Sequence, residues 1–233
     1  MTAALDVYFV LILRQPYTNQ TMKLELDHFF ILTDNPQKTG DLLVSLGLNE
    51  SFRRDHPGQG TSNRRFEFSN GMLEILYVRD EQECLTGPAR GLGFPERVSA
   101  KQASPFGIIL TRTEGGVDDR PFNGWHYQPD YFEPPNGFHV GNNSDNLNEP
   151  LCIYVPFMGP IKRNEEVGTF KSVSLVEVFV PTNEPSETLR QLDFVDRLAI
   201  KTGREHLIVL TLDDHKEGLS KDFRPDIPLA IQW

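Results

Sequence analysis

The order of segments between residues 24 and 78 constrains this chain more than any other feature. Residues 24–33 (LELDHFFILT) make a short run rich in aliphatic and aromatic side chains, which reads as a strand. Asp34-Asn35-Pro36 then supplies cap chemistry with proline at the first helical position. Leu42, Leu43 and Leu46 recur at helical spacing, and Gly47 stops the helix. Phe52–Arg54, Arg64–Ser69 and Met72–Val78 read as three more strands, and Asn70-Gly71 joins the last two as a hairpin. The order is β-α-β-β-β. A strand, a helix and a three-stranded return must cover one face of a sheet with a helix, which predicts an α+β fold.

The rest of the chain echoes this plan more loosely. Residues 80–102 read as a linker rich in charge and glycine, and Phe106–Arg112 as a strand. Residues 115–150 are dominated by Pro, Gly, Asn and aromatics, with short strands expected at Trp125–Gln128 and Phe138–Val140. Trp125, Tyr127, Tyr131, Phe132 and Phe138 argue that this long loop is ordered. Leu151–Phe157 and Ser172–Val180 read as strands, and a short helix opens at Ser186-Glu187. Leu198–Lys201, His206–Leu212 and Ile227–Trp233 complete the set. Leu26–Phe30 aligns with Leu175–Phe179, and Thr33–Pro36 with Thr182–Pro185, which suggests an internal repeat. The expected organisation is an N-terminal extension (1–21), a first βαβββ unit (22–100), a middle unit with the aromatic loop (101–168) and a last βαβββ-like unit (169–233), all in one compact domain.

Charge and cysteine content narrow the function. The 233 residues hold 23 Lys+Arg against 33 Asp+Glu, a formal charge of −10. That balance disfavours a nucleic-acid surface and a helix lying on anionic membrane. The early apolar run Val7–Leu13 is too short to cross a bilayer, and no basic residue precedes it as in a secretory signal. Cys84 and Cys152 form no CxxC pattern, which fits a reducing, cytoplasmic setting. No Gly-x-Ser-x-Gly elbow, P-loop or GxGxxG string is present.

Leu26-Asp27-His28, the helix ending Leu46-Gly47-Leu48, the string His56-Pro57-Gly58-Gln59-Gly60-Thr61-Ser62-Asn63, and Leu73-Glu74-Ile75-Leu76 together resemble the glyoxalase-like branch of the vicinal oxygen chelate superfamily. The resemblance is good over residues 24–80 and loose afterwards. It implies paired βαβββ units whose curled mixed sheets form a cup. It implies a reaction only weakly, since the superfamily holds lyases, isomerases, dioxygenases and drug-sequestering proteins.

His28 is read as sharing a strand face with Leu26 and Phe30, and Glu74 with Met72 and Leu76. A carboxylate on an apolar face needs a partner, a hydrogen bond or a metal. The two side chains are candidates to converge on Zn, Fe, Mn, Co or Ni, and the resemblance implies this role for both. The competing reading makes His28 a satisfied core histidine and pairs Glu74 with a neighbouring arginine. By the two-unit pattern Glu177 stands at the position of His28, while the position of Glu74 falls near Ala230, which cannot ligate. His126 and His139 are alternative ligands, and His56 is a candidate ligand or general base. The Gly58-Gln59-Gly60 turn offers backbone N–H groups to an anion. Arg54 and Arg65 beside it suit a carboxylate or phosphate, unless these arginines are solvated and pair with Asp55 and Glu67. Asn63 closes the string, and the aromatic loop at residues 125–138, with Trp125 and His126 at its start, either roofs an apolar ligand or packs over a sheet edge. Two functions follow as expectations: a divalent-metal-dependent enzyme acting on a small organic substrate with adjacent oxygens, or a metal-free small-molecule-binding protein of the same fold. A homodimer is compatible with either.

Overall fold

The computed structural model describes residues 22–159 and 168–233. The N-terminal extension proposed for residues 1–21 lies outside them. The first unit follows the expected order: β1 (Lys23–Leu32), α1 (Pro36–Leu46), β2 (Glu50–His56), β3 (Thr61–Phe68) and β4 (Gly71–Val78). Asn35 caps α1 by accepting the Lys38 N–H, Pro36 starts it, and Gly47 ends it at a φ of +107° that favours glycine. The hairpin between β3 and β4 forms where expected, but its two turn residues are Ser69-Asn70, because Gly71 already pairs with Phe68 at the end of a register that starts with Thr61 opposite Val78.

The segment read as a linker is instead built of short helices. These are α2 (Glu81–Leu85), a 3-10 turn at Gly87–Leu92, and α3 (Phe94–Ser99). Each is one or two turns long, too short to show helical periodicity. Their local signals are the Asp80 cap and Pro88 and Pro95 near helix starts. The buried Arg97 holds the segment by donating to the carbonyls of Leu92, Ser104, Ser144 and Glu149. There follow β5 (Phe106–Glu114), β6 (Gly124–Tyr127), β7 (Phe138–Gly141) and β8 (Leu151–Tyr154). The last third gives β9 (Val173–Val180), α4 (Glu187–Arg190), β10 (Leu198–Thr202), β11 (Leu207–Leu212), β12 (Ser220–Asp222) and β13 (Leu229–Gln232).

These elements form a mixed α+β fold with two open sheets. The larger has the order β2-β3-β4-β1-β5-β8-β7-β6, and the smaller β10-β9-β11-β13-β12. In the larger sheet β1 is parallel to β4, β5 is parallel to β8, and β1 and β5 meet antiparallel at the centre. The smaller sheet repeats this central pattern: β9 is parallel to β10, β11 is parallel to β13, and β9 and β11 are antiparallel. The pairing scheme is therefore echoed. The last third also runs strand, helix and strands, but its pairing β10-β9-β11-β13-β12 is not the β2-β3-β4-β1 pairing of the first unit.

One face of the larger sheet packs on α1 and the smaller sheet through a shared core. Phe29, Ile31, Leu73, Ile75, Ile108 and Leu110 meet Val176, Val178, Ile208, Leu210 and Ile231 there. The opposite face carries Phe30, Leu76, Ile109 and Ile153 and turns toward α2, α3 and the aromatic loop. The register shift between Leu26 and His28 corrects the expected alternation on β1. Leu26 shares the first core with Phe29 and Ile31, whereas His28 and Phe30 face the other way. An extra residue in one strand switches its faces, and here it delivers Asp27 and His28 together to the second face.

Candidate functional site

That second face encloses a cavity of about 340 Å³. One pole is polar, with Asp27 and His28 from β1, Arg54 and His56 from β2, Arg65 from β3, Glu74 from β4, and Gln59. The walls are apolar and come from both halves of the sheet and from the loops: Phe30, Phe94, Ile109, Phe132, Phe138 and Ile153 are examples. Strand alternation explains why the polar groups converge. On β3, Asn63 and Arg65 share the cavity face while Arg64 and Phe66 point to the core side, and on β4 Glu74 lies between Met72 and Leu76.

At the polar pole His28 Nδ1 lies 2.5 Å from Asp27 Oδ2, so the carboxylate orients the ring and directs Nε2 toward Glu74. His28 Nε2 and Glu74 Oε2 are 4.0 Å apart. The other Glu74 oxygen accepts from Asn63 Nδ2 at 2.9 Å and lies 3.1 Å from Arg65 Nε. His56 is buried, and its Nδ1 shares a hydrogen bond with Thr61 Oγ1 at 3.0 Å. Burial holds its pKa down at about 4, so the ring is neutral at neutral pH and a weak base. Gln59 ties the pole to the roof. Its Nε2 donates to Thr61 Oγ1, and its Oε1 accepts from the hydroxyls of Tyr127 and Tyr131, both at 3.1 Å. Burial raises the pKa of both phenols, so each stays a donor.

The structure thus brings together His28, Glu74, His56, Arg54 and Arg65, with Asn63 bonded behind Glu74. Other candidates lie elsewhere. Glu177 sits on β9 in the smaller sheet, half-buried and paired with Lys201, because the whole sheet packs on the far side of the shared core. The turn N–H groups already have acceptors within the protein. Gly58 donates to Glu83 Oε1, and Gln59 and Gly60 donate to the His56 carbonyl. Gly60, at φ +75°, lies against the Asp80 carbonyl where a Cβ would stand 2.3 Å away, so its place in the string is explained by backbone packing. Trp125 packs over Gly91 and donates to Ser144, and His126 is exposed on β6. His139 is tied to the Phe122 carbonyl. Within the aromatic loop, the residues that line the cavity are Tyr127, Tyr131, Phe132 and Phe138. Asp27 and Gln59 escaped the sequence reading, although Asp27 adjoins His28. Burial raises the Cys84 and Cys152 thiols to about 11 and about 12, which keeps them protonated and inert.

The donor set fits a resident divalent ion poorly. A catalytic centre usually has three protein ligands. Among the described residues no group of three His, Cys, Asp or Glu side chains is placed to hold a metal. The register shows why. β5 and β8 pair as β1 and β4 do, but the cavity positions they supply are Ile109 and Ile153. For tetrahedral coordination at about 2.1 Å, His28 and Glu74 would also have to close by roughly half an ångström.

No protein-family model matches the chain, and no curated protein matches it. Among solved structures it resembles a hypothetical protein from Staphylococcus aureus, with a TM-score of 0.56 at 14% identity, covering 90% of this chain and 99% of that one. The two share a fold. A hypothetical protein from Bacillus halodurans C-125 aligns with a TM-score of 0.38 at 15% identity, over 61% of this chain and 99% of that one. A triple-substituted 4-hydroxymandelate synthase from Streptomyces coelicolor aligns with 0.44 at 13%, over 90% of this chain and 62% of that one. Scores this low add nothing about function. No described helix is long and apolar enough to cross a membrane.

Proposed function

We propose that this chain is a glyoxalase-like protein of the vicinal oxygen chelate superfamily that binds a small organic molecule in the cup, without a resident metal. The observation that carries this reading is the cavity itself, polar at one pole and apolar along its walls, with Glu74 already paired to Arg65 and Asn63. Such a site takes a molecule with a polar end and an apolar body. The Asp27–His28 pair orients one ring nitrogen toward that polar end, and the Tyr131 and Tyr127 hydroxyls, which donate to Gln59, leave their oxygens as acceptors at the roof. A metal-dependent enzyme is the second reading, favoured by the alignment of His28 Nε2 with Glu74 Oε2 across a narrow gap.

Metal analysis and thermal-shift screening separate the two. Purified protein is screened against small aromatic and branched aliphatic compounds with and without EDTA. Binders are expected to raise Tm equally in both conditions. Ile109→Trp, which fills the cavity wall, is expected to remove the shift while the variant stays folded by circular dichroism. A stoichiometric divalent ion in the purified protein, or stabilisation lost with EDTA, overturns the metal-free reading.

A further inference from the structure

We infer that the molecule taken by the cup is a monocarboxylic acid with an aryl or branched-alkyl body, its carboxylate seated on the guanidinium of Arg54 and the terminal nitrogens of Arg65. This rests on the cup being a ligand site, and it adds the chemical class of the ligand.

The inference comes from arginine donors that line the cavity with no protein acceptor among the described residues. Buried arginines in this protein are generally consumed by their surroundings. Arg64, on the opposite face of β3, gives its nitrogens to Glu50, Asp41 and the carbonyls of Pro36 and Gln37. Arg97 gives its own to main-chain carbonyls. The two arginines that line the cavity differ. Among the described residues Arg54 has no carboxylate partner, and its side chain only lies over the Tyr131 ring, with Cζ 5.0 Å from the ring centre. Arg65 meets Glu74 through Nε, off the hydrogen-bonding direction, and its terminal nitrogens bond no described group. Stacking of the Arg65 guanidinium on Phe52, with Cζ 4.6 Å from the ring centre, leaves its N–H edge open. These N–H groups are uncommitted within the protein and line the cavity, and a planar carboxylate accepts two such N–H groups at once.

The rest of the pole limits the charge of the ligand. Glu74 shares the pole with both arginines, 3.1 Å from Arg65 Nε and bonded to Asn63, and Asp27 lies beside His28. Arg65 and Asn63 already offset Glu74, whereas Asp27 repels a carboxylate placed beside His28, so the acid group belongs on the two arginines and an uncharged part of the ligand faces His28. A phosphate carries more negative charge toward the same two carboxylates and is disfavoured. The apolar body lies among Phe30, Phe94, Phe132, Phe138 and the two isoleucines.

Calorimetric titration of the full chain in EDTA tests this. The probes are phenylacetate and indole-3-acetate, their primary amides, and phenyl phosphate. The acids are expected to bind at least about tenfold more tightly than the amides, the scale of a charge-assisted contact on a preformed donor pair. Arg54→Gln is expected to shrink that ratio below about threefold, and Arg54→Lys, which keeps the charge and loses the fork, to leave it between the two. Amides as tight as acids, an unchanged ratio in Arg54→Gln, phenyl phosphate tighter than either acid, or no binding by the acids each overturns the inference. Amide binding without an acid advantage leaves the cup as a ligand site and removes only the carboxylate. Silence from acids, amides and neutral apolar probes alike removes the cup reading as well.

Discussion

At the scale of single residues, His56 shows how burial sets behaviour. Its ring is enclosed, and the folded-state pKa falls from 6.5 to about 4. In the window between these values the unfolded chain binds a proton that the folded chain does not. Stability therefore falls as pH drops from about 6.5 to about 4, and the loss levels off below that. The full difference is on the order of 3 kcal/mol. Urea denaturation across this range is expected to show the slope, and His56→Gln is expected to flatten it. An identical slope in the variant would show that other groups cause it. The residue scale is also where the sequence was least legible. His28, Glu74, Arg54 and Arg65 could be singled out because they are polar residues on apolar strands. The β-bulge at Asp27 leaves no mark in the alternation of LELDHFFILT, so a period of two puts Leu26 on the face of His28, whereas the bulge turns it to the core. Gln59 carries no sequence signal of its own, because it lies in a turn whose glycines point to backbone N–H groups, and those groups are used internally.

Between elements, one arginine joins α1 to the sheet. Arg64 on β3 crosses under the helix at Gly40, where a Cβ would stand 2.1 Å from the guanidinium carbon. From there it bonds the carbonyls of Pro36 and Gln37 in the first turn, Asp41 one turn on, and Glu50 on β2. Glu50 is held below its ordinary pKa chiefly by its hydrogen bond with Arg64. Arg64→Met is expected to cost about 2–3 kcal/mol, because it removes a buried guanidinium that bonds Glu50 and Asp41 and leaves Glu50 only the exposed Arg53. Arg53→Ala removes an exposed contact to the same Glu50 and is expected to cost under about 1 kcal/mol. Equal losses in the two variants, measured by urea denaturation, would refute the staple. The β-α-β-β-β order was legible because caps, a hairpin turn and periodicity agreed over long segments. Residues 80–102 were not, because helices of five or six residues offer no repeat to read, and their glycines and charges mimic a linker.

Across the whole molecule, the two sheets share one core, and this bears on how the site is supported. The face of β1, β4 and β5 away from the cavity is covered by β9, β11 and β13. The Arg197 side chain also bridges the sheets, donating to the carbonyls of Leu26 and Asn70. Asn70 returns the link, its side chain pairing with the main chain of Val173. Leu26 directly precedes the bulge that presents Asp27 and His28, so the smaller sheet supports the polar pole from behind. Elements that share a core unfold together. The two tryptophans report on this from opposite ends. Trp125 lies by the 3-10 turn near the cup, and Trp233 packs edge-on against Phe170 at the smaller sheet. Single-tryptophan variants, Trp125→Phe and Trp233→Phe, are expected to unfold in urea at coincident midpoints. Leu210→Ala, fully buried on β11, is expected to lower both midpoints together by about 2–5 kcal/mol of stability. If the Trp233 signal melts at lower denaturant while Trp125 holds, the smaller sheet is an independent layer. The cup would then owe its geometry to the larger sheet alone.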